Sequence, residues 1–302
     1  MTKTGEVKIL ADGAVASGNY TIRYKDGKLT VSTRPSSGGG SSRPSTHPVQ
    51  TEVRKDPDGS VSLSKTSAAK GDKVTITVKP NRHYKVDEVI VRDSKGKQLA
   101  VKDNGDGTYT FEMPADKVTV EPTFTWVNPF ADVANNAYYV DAVEWMLKRE
   151  VTQGTTETTF SPNLNCTRAQ IVTFLWRAAG SPEPKGTVSF ADVPAGSYYA
   201  KAVAWAIENG ITGGTGNGKF SPNATCTREQ AVAFLYRASG SPAVSGGSAF
   251  SDVAASAYYA DAVAWAEQNG VTGGIGNGEF GTGSDCTRAQ IVTFLYRAYQ
   301  GK

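Results

Sequence analysis

Three arginines, sixty residues apart, are the side chains of this sequence best suited to bind a ligand. Each follows a threonine in the motif Thr-Arg-Ala/Glu-Gln and takes the first position of a predicted helix. A cation at that end opposes the helix dipole by about 0.3–1 kcal/mol, so we expect each arginine to have an anionic partner. The three residues are Arg168, Arg228 and Arg288.

Two kinds of partner fit such an arginine. A guanidinium beside the free N–H groups of a helix start would bind a carboxylate in bidentate fashion. Alternatively, the arginine would pair within the protein with the aspartate of a repeated Phe-x-Asp-Val motif. These aspartates are Asp132, Asp192 and Asp252. The residues alone leave both alternatives open.

Three further sets of residues recur at the same interval and could border a binding site. One ring of each double tyrosine would stack on a sugar, although core burial is the reading that the pair favours. In the first helix of each repeat, a tryptophan lies outside the main apolar face. It would pack between repeats and could form the edge of a groove. A glycine would let a ligand approach the backbone, or would simply serve a turn. The residues are Tyr139, Tyr199 and Tyr259, then Trp145, Trp205 and Trp265, and finally Gly154, Gly214 and Gly274.

Motifs for catalysis are missing from the sequence. His47 and His83 have no neighbouring nucleophile pattern, and neither a phosphate loop nor a zinc-protease motif occurs. The segment 103–107 (Asp-Asn-Gly-Asp-Gly) lacks the spacing and terminal glutamate of a calcium loop and predicts a tight turn. We therefore expect no enzymatic activity, no cofactor and no metal.

The charge distribution and hydropathy exclude two classes of partner. Residues 1–126 carry 20 Lys+Arg against 15 Asp+Glu, residues 127–302 carry 12 against 14, and the net charge is +3. Neither half has the clustered basic face that nucleic acids require, and no apolar run reaches the roughly 18 residues of a membrane span. The first residues lack the apolar core of a signal peptide, which predicts either a cytosolic protein or a piece of a longer exported chain. We favour the exported chain.

From residue 127 onward the sequence repeats one unit three times. Residues 190–238 and 250–298 are identical at 31 of 49 positions without a gap. Such a period predicts units that complete one another's core. Each unit contains two helices, the first with an apolar stripe and the second starting at a capping box. The stripe of repeat one is Tyr139, Ala142, Val143, Met146 and Leu147, and the boxes are Thr167/Gln170, Thr227/Gln230 and Thr287/Gln290.

One cysteine precedes each capping threonine. Cys166 would form a hydrophobic staple with Ile171, and the other two repeats offer the equivalent pairs. We expect Cys166, Cys226 and Cys286 to stay apart, because identical positions of successive repeats need not approach the 7 Å Cα separation of a disulfide. We interpret all three as structural thiols.

The first 126 residues predict β-structure. Residues 6–33 alternate like strands, and Tyr20–Lys25 and Lys28–Ser32 flank an Asp-Gly turn. We interpret residues 1–34 as the remnant of an upstream domain and residues 35–48 as a Gly/Ser/Pro linker. Residues 49–126 predict a small all-β module, with alternating strands that begin at Lys73, Val86, Thr108 and Lys117.

The repeated half resembles the S-layer homology (SLH) repeat, through Phe-x-Asp-Val, the double tyrosine, Gly-Ile/Val-Thr-x-Gly, Phe-Ser-Pro-Asn and Thr-Arg-Ala/Glu-Gln. The copies span 127–186, 187–246 and 247–302. The resemblance implies an all-α monomer with pseudo-threefold symmetry, a spindle with three prongs. It further implies grooves between repeats that bind a secondary cell-wall polymer, often bearing a ketal-linked pyruvate. Residues 49–126 resemble the internalin B-repeat.

This resemblance implies an extracellular protein that is attached non-covalently to a Gram-positive cell wall. An S-layer lattice subunit or an adhesin stalk is the alternative. The copies differ at residues 153–159, at residues 281–283, where Gly-Thr-Gly replaces Ser-Pro-Asn, and at the glutamine that replaces the usual glutamate of the family. We therefore expect three inequivalent grooves.

Overall fold

The computed structural model describes residues 20–25, 28–33, 44–52, 58–187 and 190–300. The predicted strands of residues 6–19 and residues 35–43 of the predicted linker lie outside these ranges. The predicted hairpin is present as β1 (Tyr20–Lys25) and β2 (Lys28–Thr33). The two strands are antiparallel, with Tyr20 opposite Thr33 and Lys25 opposite Lys28.

The described part of the β module contains eight strands. They are β3 (Thr46–Thr51), β4 (Gly59–Leu63), β5 (Ser67–Ala69), β6 (Lys73–Pro80), β7 (Tyr84–Asp93), β8 (Val101–Asp103), β9 (Thr108–Glu112) and β10 (Val118–Trp126). The four predicted strands are confirmed as β6, β7, β9 and β10. Strand β3 begins inside the predicted linker. One sheet has the order β5-β3-β10-β7 and the other β4-β6-β9-β8, and β10 runs parallel to β3.

Alternation along the strands builds one core between the two sheets. Strand β6 buries Val74, Ile76 and Val78 against residues of the other sheet such as Val91, because successive side chains of a strand point to opposite faces. The predicted turn at 103–107 joins β8 to β9. Its Asp103 and Asp106 side chains accept N–H groups of Gly105 and Thr108, as turn-forming aspartates do.

Each repeat contains the two predicted helices. They are α1 (Val140–Lys148), α2 (Arg168–Ala178), α3 (Ala200–Glu208), α4 (Arg228–Ala238), α5 (Ala260–Gln268) and α6 (Arg288–Tyr299). Helix α1 buries Ala142, Val143 and Met146, which confirms the apolar stripe. Gly210 and Gly270 follow the ends of α3 and α5 at φ +65° and +67°, and in repeat one Glu150 takes this left-handed position at φ +56°.

Two of the three predicted capping boxes form. Helices α2 and α6 have both hydrogen bonds of the box, from Thr167/Gln170 and Thr287/Gln290. The prediction is wrong for α4, where the buried Thr227 hydroxyl has no partner. The Oε1 atom of Gln230 instead lies 3.5 Å from Nη1 of Arg168 in repeat one, so this arginine competes for the capping amide.

The three cysteines meet at the centre of a closed ring of repeats. The N–H groups of Cys166, Cys226 and Cys286 donate to the carbonyl oxygens of Cys286, Cys166 and Cys226, each at 2.9 Å. The expectation that these residues stay apart was wrong, because ring closure brings the same position of every repeat to the pseudo-threefold axis. The thiols are free, and burial raises the pKa of Cys166 and Cys226 to about 12. Protonated, buried thiols fit a structural role.

Neighbouring repeats share one hydrophobic core. Helix α2 contacts α3, α4 contacts α5, and α6 contacts α1, which closes the ring. Trp265 packs on Tyr236 of repeat two, with ring centroids 5.7 Å apart, and Trp145 packs on Tyr296 of repeat three at 6.1 Å. The prediction that these tryptophans pack between repeats is confirmed.

The β module contacts repeat one directly. The Tyr84 hydroxyl donates to Glu144 at 2.6 Å, and Lys148 forms an ion pair with Asp58 at 2.5 Å. A cavity of about 340 Å³ opens beside these contacts. Its lining includes His83, Glu150 and Gln153 but none of the three repeated arginines. Among the described helices, none has the length and apolar character to cross a membrane.

Candidate binding junctions between the repeats

Each repeated arginine extends from the start of its own helix into the next repeat of the ring. The Nε atoms of Arg168, Arg228 and Arg288 donate to the carbonyl oxygens of Phe220, Phe280 and Phe160 at 3.0, 3.0 and 2.8 Å. We call the three places the Arg168, Arg228 and Arg288 junctions. The arginines are only 3–5% exposed, although arginine is almost never fully buried without a partner.

Two phenylalanine rings enclose each guanidinium group. The central carbon of the Arg168 guanidinium lies 5.0 Å from the centroid of the Phe220 ring and 5.1 Å from that of Phe234. The other two junctions repeat this arrangement with rings of the same repeat positions. Cation–π attraction therefore fixes the plane of the guanidinium and leaves its edge to make hydrogen bonds.

Part of that edge has no partner. The Nη2 atoms of Arg168 and Arg288 are buried and form no hydrogen bond with any residue that the structure describes. Burial lowers the pKa of both side chains, yet arginine stays charged in proteins. A buried, charged N–H group without an acceptor is costly, so these two nitrogens mark positions for an oxygen atom of an anion.

The repeated aspartates hold a loop and do not pair with the arginines. Asp132 accepts the backbone N–H groups of Phe160 and Ser161 at 2.8 and 2.7 Å, and Asp192 makes the equivalent contacts in repeat two. Asp252 does the same in repeat three. Within the described residues, none of these aspartates forms an ion pair with an arginine. Each aspartate instead positions the phenylalanine carbonyl to which the arginine donates.

The backbone N–H groups at the starts of α2 and α6 are already occupied. The N–H of Arg168 donates to the carbonyl of Ala224 at 3.0 Å, and that of Ala169 donates to Pro222 at 3.1 Å. Helix α6 makes the same contacts with repeat one. The predicted receptor of free helix N–H groups was therefore wrong for α2 and α6, because ring closure lays the loop of the next repeat over the helix start.

In α4 the N–H of Arg228 donates to the Ser284 carbonyl at 2.9 Å, and among the described residues the N–H of Glu229 has no equivalent carbonyl contact. At the Arg168 and Arg288 junctions, the unpaired Nη2 atom is the group left for an anion.

The structure distinguishes the two rings of each double tyrosine. The second ring, in Tyr139, Tyr199 and Tyr259, is half-buried against the core, so the predicted core burial of one ring is confirmed. The first ring is the exposed one, and sequence reasoning did not select it. Its exposed fraction is 65%, 59% and 64% in Tyr138, Tyr198 and Tyr258. The apolar stripe could have identified it, because the stripe already assigns the second tyrosine of the pair to the core.

Each exposed tyrosine is close enough to one junction arginine to share its electrostatic field. Burial raises the pKa of the Tyr138 phenol, and Arg228 is among the charges that oppose this rise. Tyr198 stands in the same relation to Arg288, and Tyr258 contributes to the field at Arg168. A junction therefore combines an arginine from one repeat with an aspartate and a carbonyl from the next, and the charge of the arginine reaches a tyrosine of the third.

The remaining candidates serve packing. Trp205 and Trp265 are 9% and 8% exposed, so neither presents a face to a ligand. A Cβ atom on Gly154 or Gly214 would lie 2.5 Å from the Phe130 ring or the Lys219 carbonyl oxygen. On Gly274 it would lie 2.2 Å from the Glu279 carbonyl oxygen. Close packing at positive φ, rather than room for a ligand, therefore explains these glycines.

Comparison with known protein families agrees with this architecture. The S-layer homology domain matches residues 129–172, 189–232 and 249–292, and the divergent InlB B-repeat domain matches residues 49–128. The chain therefore carries three S-layer homology domains behind one B-repeat domain, and these domains indicate a cell-surface protein.

Curated relatives share the repeats within much longer chains. An amylopullulanase of Thermoanaerobacterium thermosulfurigenes is 29% identical over 64% of this chain and 10% of its own length. A cell surface protein of Thermoanaerobacter kivui is 34% identical over 39% of the chain and 16% of its own length. The S-layer protein sap of Bacillus anthracis is 29% identical over 44% of the chain and 16% of its own length. The chain thus spans between a tenth and a sixth of these relatives, which include an enzyme and surface proteins.

Proposed function

We propose that this chain anchors an exported protein non-covalently to the bacterial cell wall by binding an anionic secondary wall polymer at the repeat junctions. The observation that carries the proposal is the buried, unpaired Nη2 atom of Arg168 and Arg288. A carboxylate oxygen would supply the missing acceptor and balance the buried charge.

A pyruvate ketal on a sugar suits the chemistry of a junction. Its carboxylate is planar and ionised at neutral pH, and it would meet the guanidinium edge between Phe220 and Phe234, where a low dielectric strengthens the pairing. The sugar ring would stack on the exposed face of Tyr258, as carbohydrates do on aromatic rings. The polymer therefore supplies both the anion and the apolar face.

A ligand has to displace a side chain to reach the buried nitrogen. The exposed tyrosine of the third repeat is a large side chain that lies outside the packed core and within range of the charge of the junction arginine. We propose that this ring turns aside on binding and then covers the sugar. Two or more occupied junctions on one ring would add avidity, because a polymer strand presents repeated ligands at high effective concentration.

Sedimentation with purified cell walls tests the proposal. We expect the chain to bind intact walls and to stay in solution with walls from which the secondary polymer has been stripped. Arg168→Ala together with Arg288→Ala should weaken binding at least about tenfold, since each loses a charge-assisted hydrogen bond. Arg92→Ala is the matched control, because Arg92 pairs with Glu121 on the surface of the β module. Equal binding to intact and stripped walls would contradict the proposal.

A further inference from the structure

Two irregularities in the repeats meet in space. Glu229 stands where the other repeats have Ala169 and Ala289, and residues 281–283 read Gly-Thr-Gly where the other repeats have Ser-Pro-Asn. In the structure the N–H of Gly283 donates to the Glu229 carboxylate at 3.0 Å. Both departures from the repeat therefore belong to one contact, at the Arg228 junction.

The loop at this junction is built differently from its counterparts. At the other two junctions the second helical N–H donates to a proline carbonyl, from Ala169 to Pro222 at 3.1 Å and from Ala289 to Pro162 at 2.9 Å. Thr282 replaces that proline in repeat three, and its own N–H donates to Asp252 at 2.7 Å. The Arg228 junction thus gains an acidic side chain and loses the contact that the others share.

The added carboxylate changes the charge that a ligand meets. Glu229 is 8% exposed and directly follows Arg228 at the start of α4. Burial lowers the pKa of Arg228, and Glu229 is one of the negative groups that oppose this change, along with Asp252. Burial and Glu229 also raise the pKa of Tyr258, the tyrosine of the Arg168 junction, so the contact with Gly283, rather than this charge effect, places Glu229 at the Arg228 junction. Arg168 and Arg288, by contrast, have an alanine at the position of Glu229, and their Nη2 atoms are fully buried without an acceptor. Among the described residues, the Arg228 side chain donates one hydrogen bond, from Nε to the Phe280 carbonyl oxygen.

We propose that Glu229 is a specificity-determining residue that closes the Arg228 junction to carboxylates, so that the chain binds its anionic ligand at two junctions and not at three. A second carboxylate beside a buried one is repelled, and rejection of this kind is a common source of specificity. The proposal rests on the proposed function, since it specifies which junctions carry it out.

Calorimetric titration of the full chain with a synthetic methyl hexoside that bears a 4,6-pyruvate ketal measures the number of sites. We expect two sites in the unmodified chain and three in Glu229→Gln. Glutamine keeps an oxygen that can accept the Gly283 N–H, so this variant removes the charge and retains the contact. Glu229→Ala reproduces the residue of the other repeats and should also yield three sites.

A gain of binding provides the sharper test. Arg168→Ala with Arg288→Ala should bind no ketal, and adding Glu229→Gln to this pair should restore one site. Thermal unfolding of each variant verifies that it is folded. Three sites in the unmodified chain, or no restored site in the folded triple variant, would overturn the role of Glu229 while leaving the proposed function intact. No binding by the unmodified chain would overturn the proposed function and this proposal together.

Discussion

The β module and the ring of repeats bury different kinds of side chain. Among the described residues, the core of the β module is apolar, with members such as Ile76, Val91 and Phe111. The ring also buries charged side chains, namely three arginines and Glu229. Burying a charge costs free energy unless it is paired, so the two regions meet different demands.

This difference indicates where a ligand would act. Alternation and turn chemistry explain the buried residues of the β module without reference to a partner. In the ring, caps, staples and apolar stripes explain most of the buried residues but leave the Nη2 atoms of Arg168 and Arg288 without an acceptor. A buried charge that folding leaves unpaired is a reason to expect function in the ring.

Truncation of a core phenylalanine in each region should separate stability from binding most clearly. Phe220→Ala removes a fully buried ring that covers Arg168, and Phe111→Ala removes a buried ring of the β module. We expect each to lower the free energy of unfolding by about 3–5 kcal/mol, measured by urea denaturation. Phe220→Ala should also weaken wall binding, and Phe111→Ala should not. If both variants lost wall binding to the same extent, the proposal that the ring and not the β module binds the wall would be contradicted.

A smaller effect on stability is expected from the ionisation of Asp252, which makes the ring of repeats less stable in acid. Burial opposes ionisation of Asp252, but the N–H groups of Thr282, Phe280 and Gly281 outweigh it and lower its pKa to about 2, from an ordinary 3.8. Because the pKa of Asp252 is lower in the folded state than in the unfolded state, its ionised carboxylate stabilises the fold. This stabilisation is complete above about pH 4 and is lost as the pH falls through 2. Asp252→Asn should therefore lower the free energy of unfolding by about 1 kcal/mol at pH 7. The difference in stability between the variant and the unmodified chain should become smaller toward pH 2. Urea denaturation at several pH values measures this difference in stability. If it stayed constant with pH, the ionised Asp252 carboxylate would not be its cause.

The smallest effect concerns the helix end in repeat one. Glu150 adopts a left-handed φ of +56° where the other repeats have Gly210 and Gly270. Glu150→Gly should raise the free energy of unfolding by about 0.5–1 kcal/mol, because relief of backbone strain exceeds the entropic cost of glycine. Gly270→Ala is the reverse control, since a Cβ atom there meets no atom within 4 Å and only the backbone is strained. Thermal unfolding measures the stability of both variants. A Glu150→Gly variant less stable than the unmodified chain would contradict the explanation by backbone strain at Glu150.

Local features of the sequence predicted much of the fold. The strand pattern, the apolar stripe of α1, the turn at 103–107 and two of three capping boxes depend on neighbours within a few residues, and they are confirmed. The box at Thr227 failed because Arg168, 62 residues before Gln230 in the chain, donates to the amide oxygen of Gln230.

The candidate site depended on ring closure, which linear spacing does not reveal. The three cysteines converge, and the helix starts are covered, because the third repeat returns to contact the first. For the same reason each arginine donates to a carbonyl of the next repeat. The sequence identified the arginines through the unfavourable helix position. The apolar stripe assigns Tyr139 to the core and so leaves Tyr138 as the exposed ring, but the sequence analysis did not draw that conclusion.

The central claim is that an anion completes the buried guanidinium groups of the ring. A crystal structure of the chain soaked with the pyruvate-ketal hexoside tests it most directly. We predict a carboxylate oxygen about 2.7–2.9 Å from Nη2 of Arg168 or Arg288, with the neighbouring tyrosine, Tyr258 or Tyr198, turned over the sugar. A ketal bound only in the cavity between the β module and repeat one, with both nitrogens still unpaired, would contradict the claim.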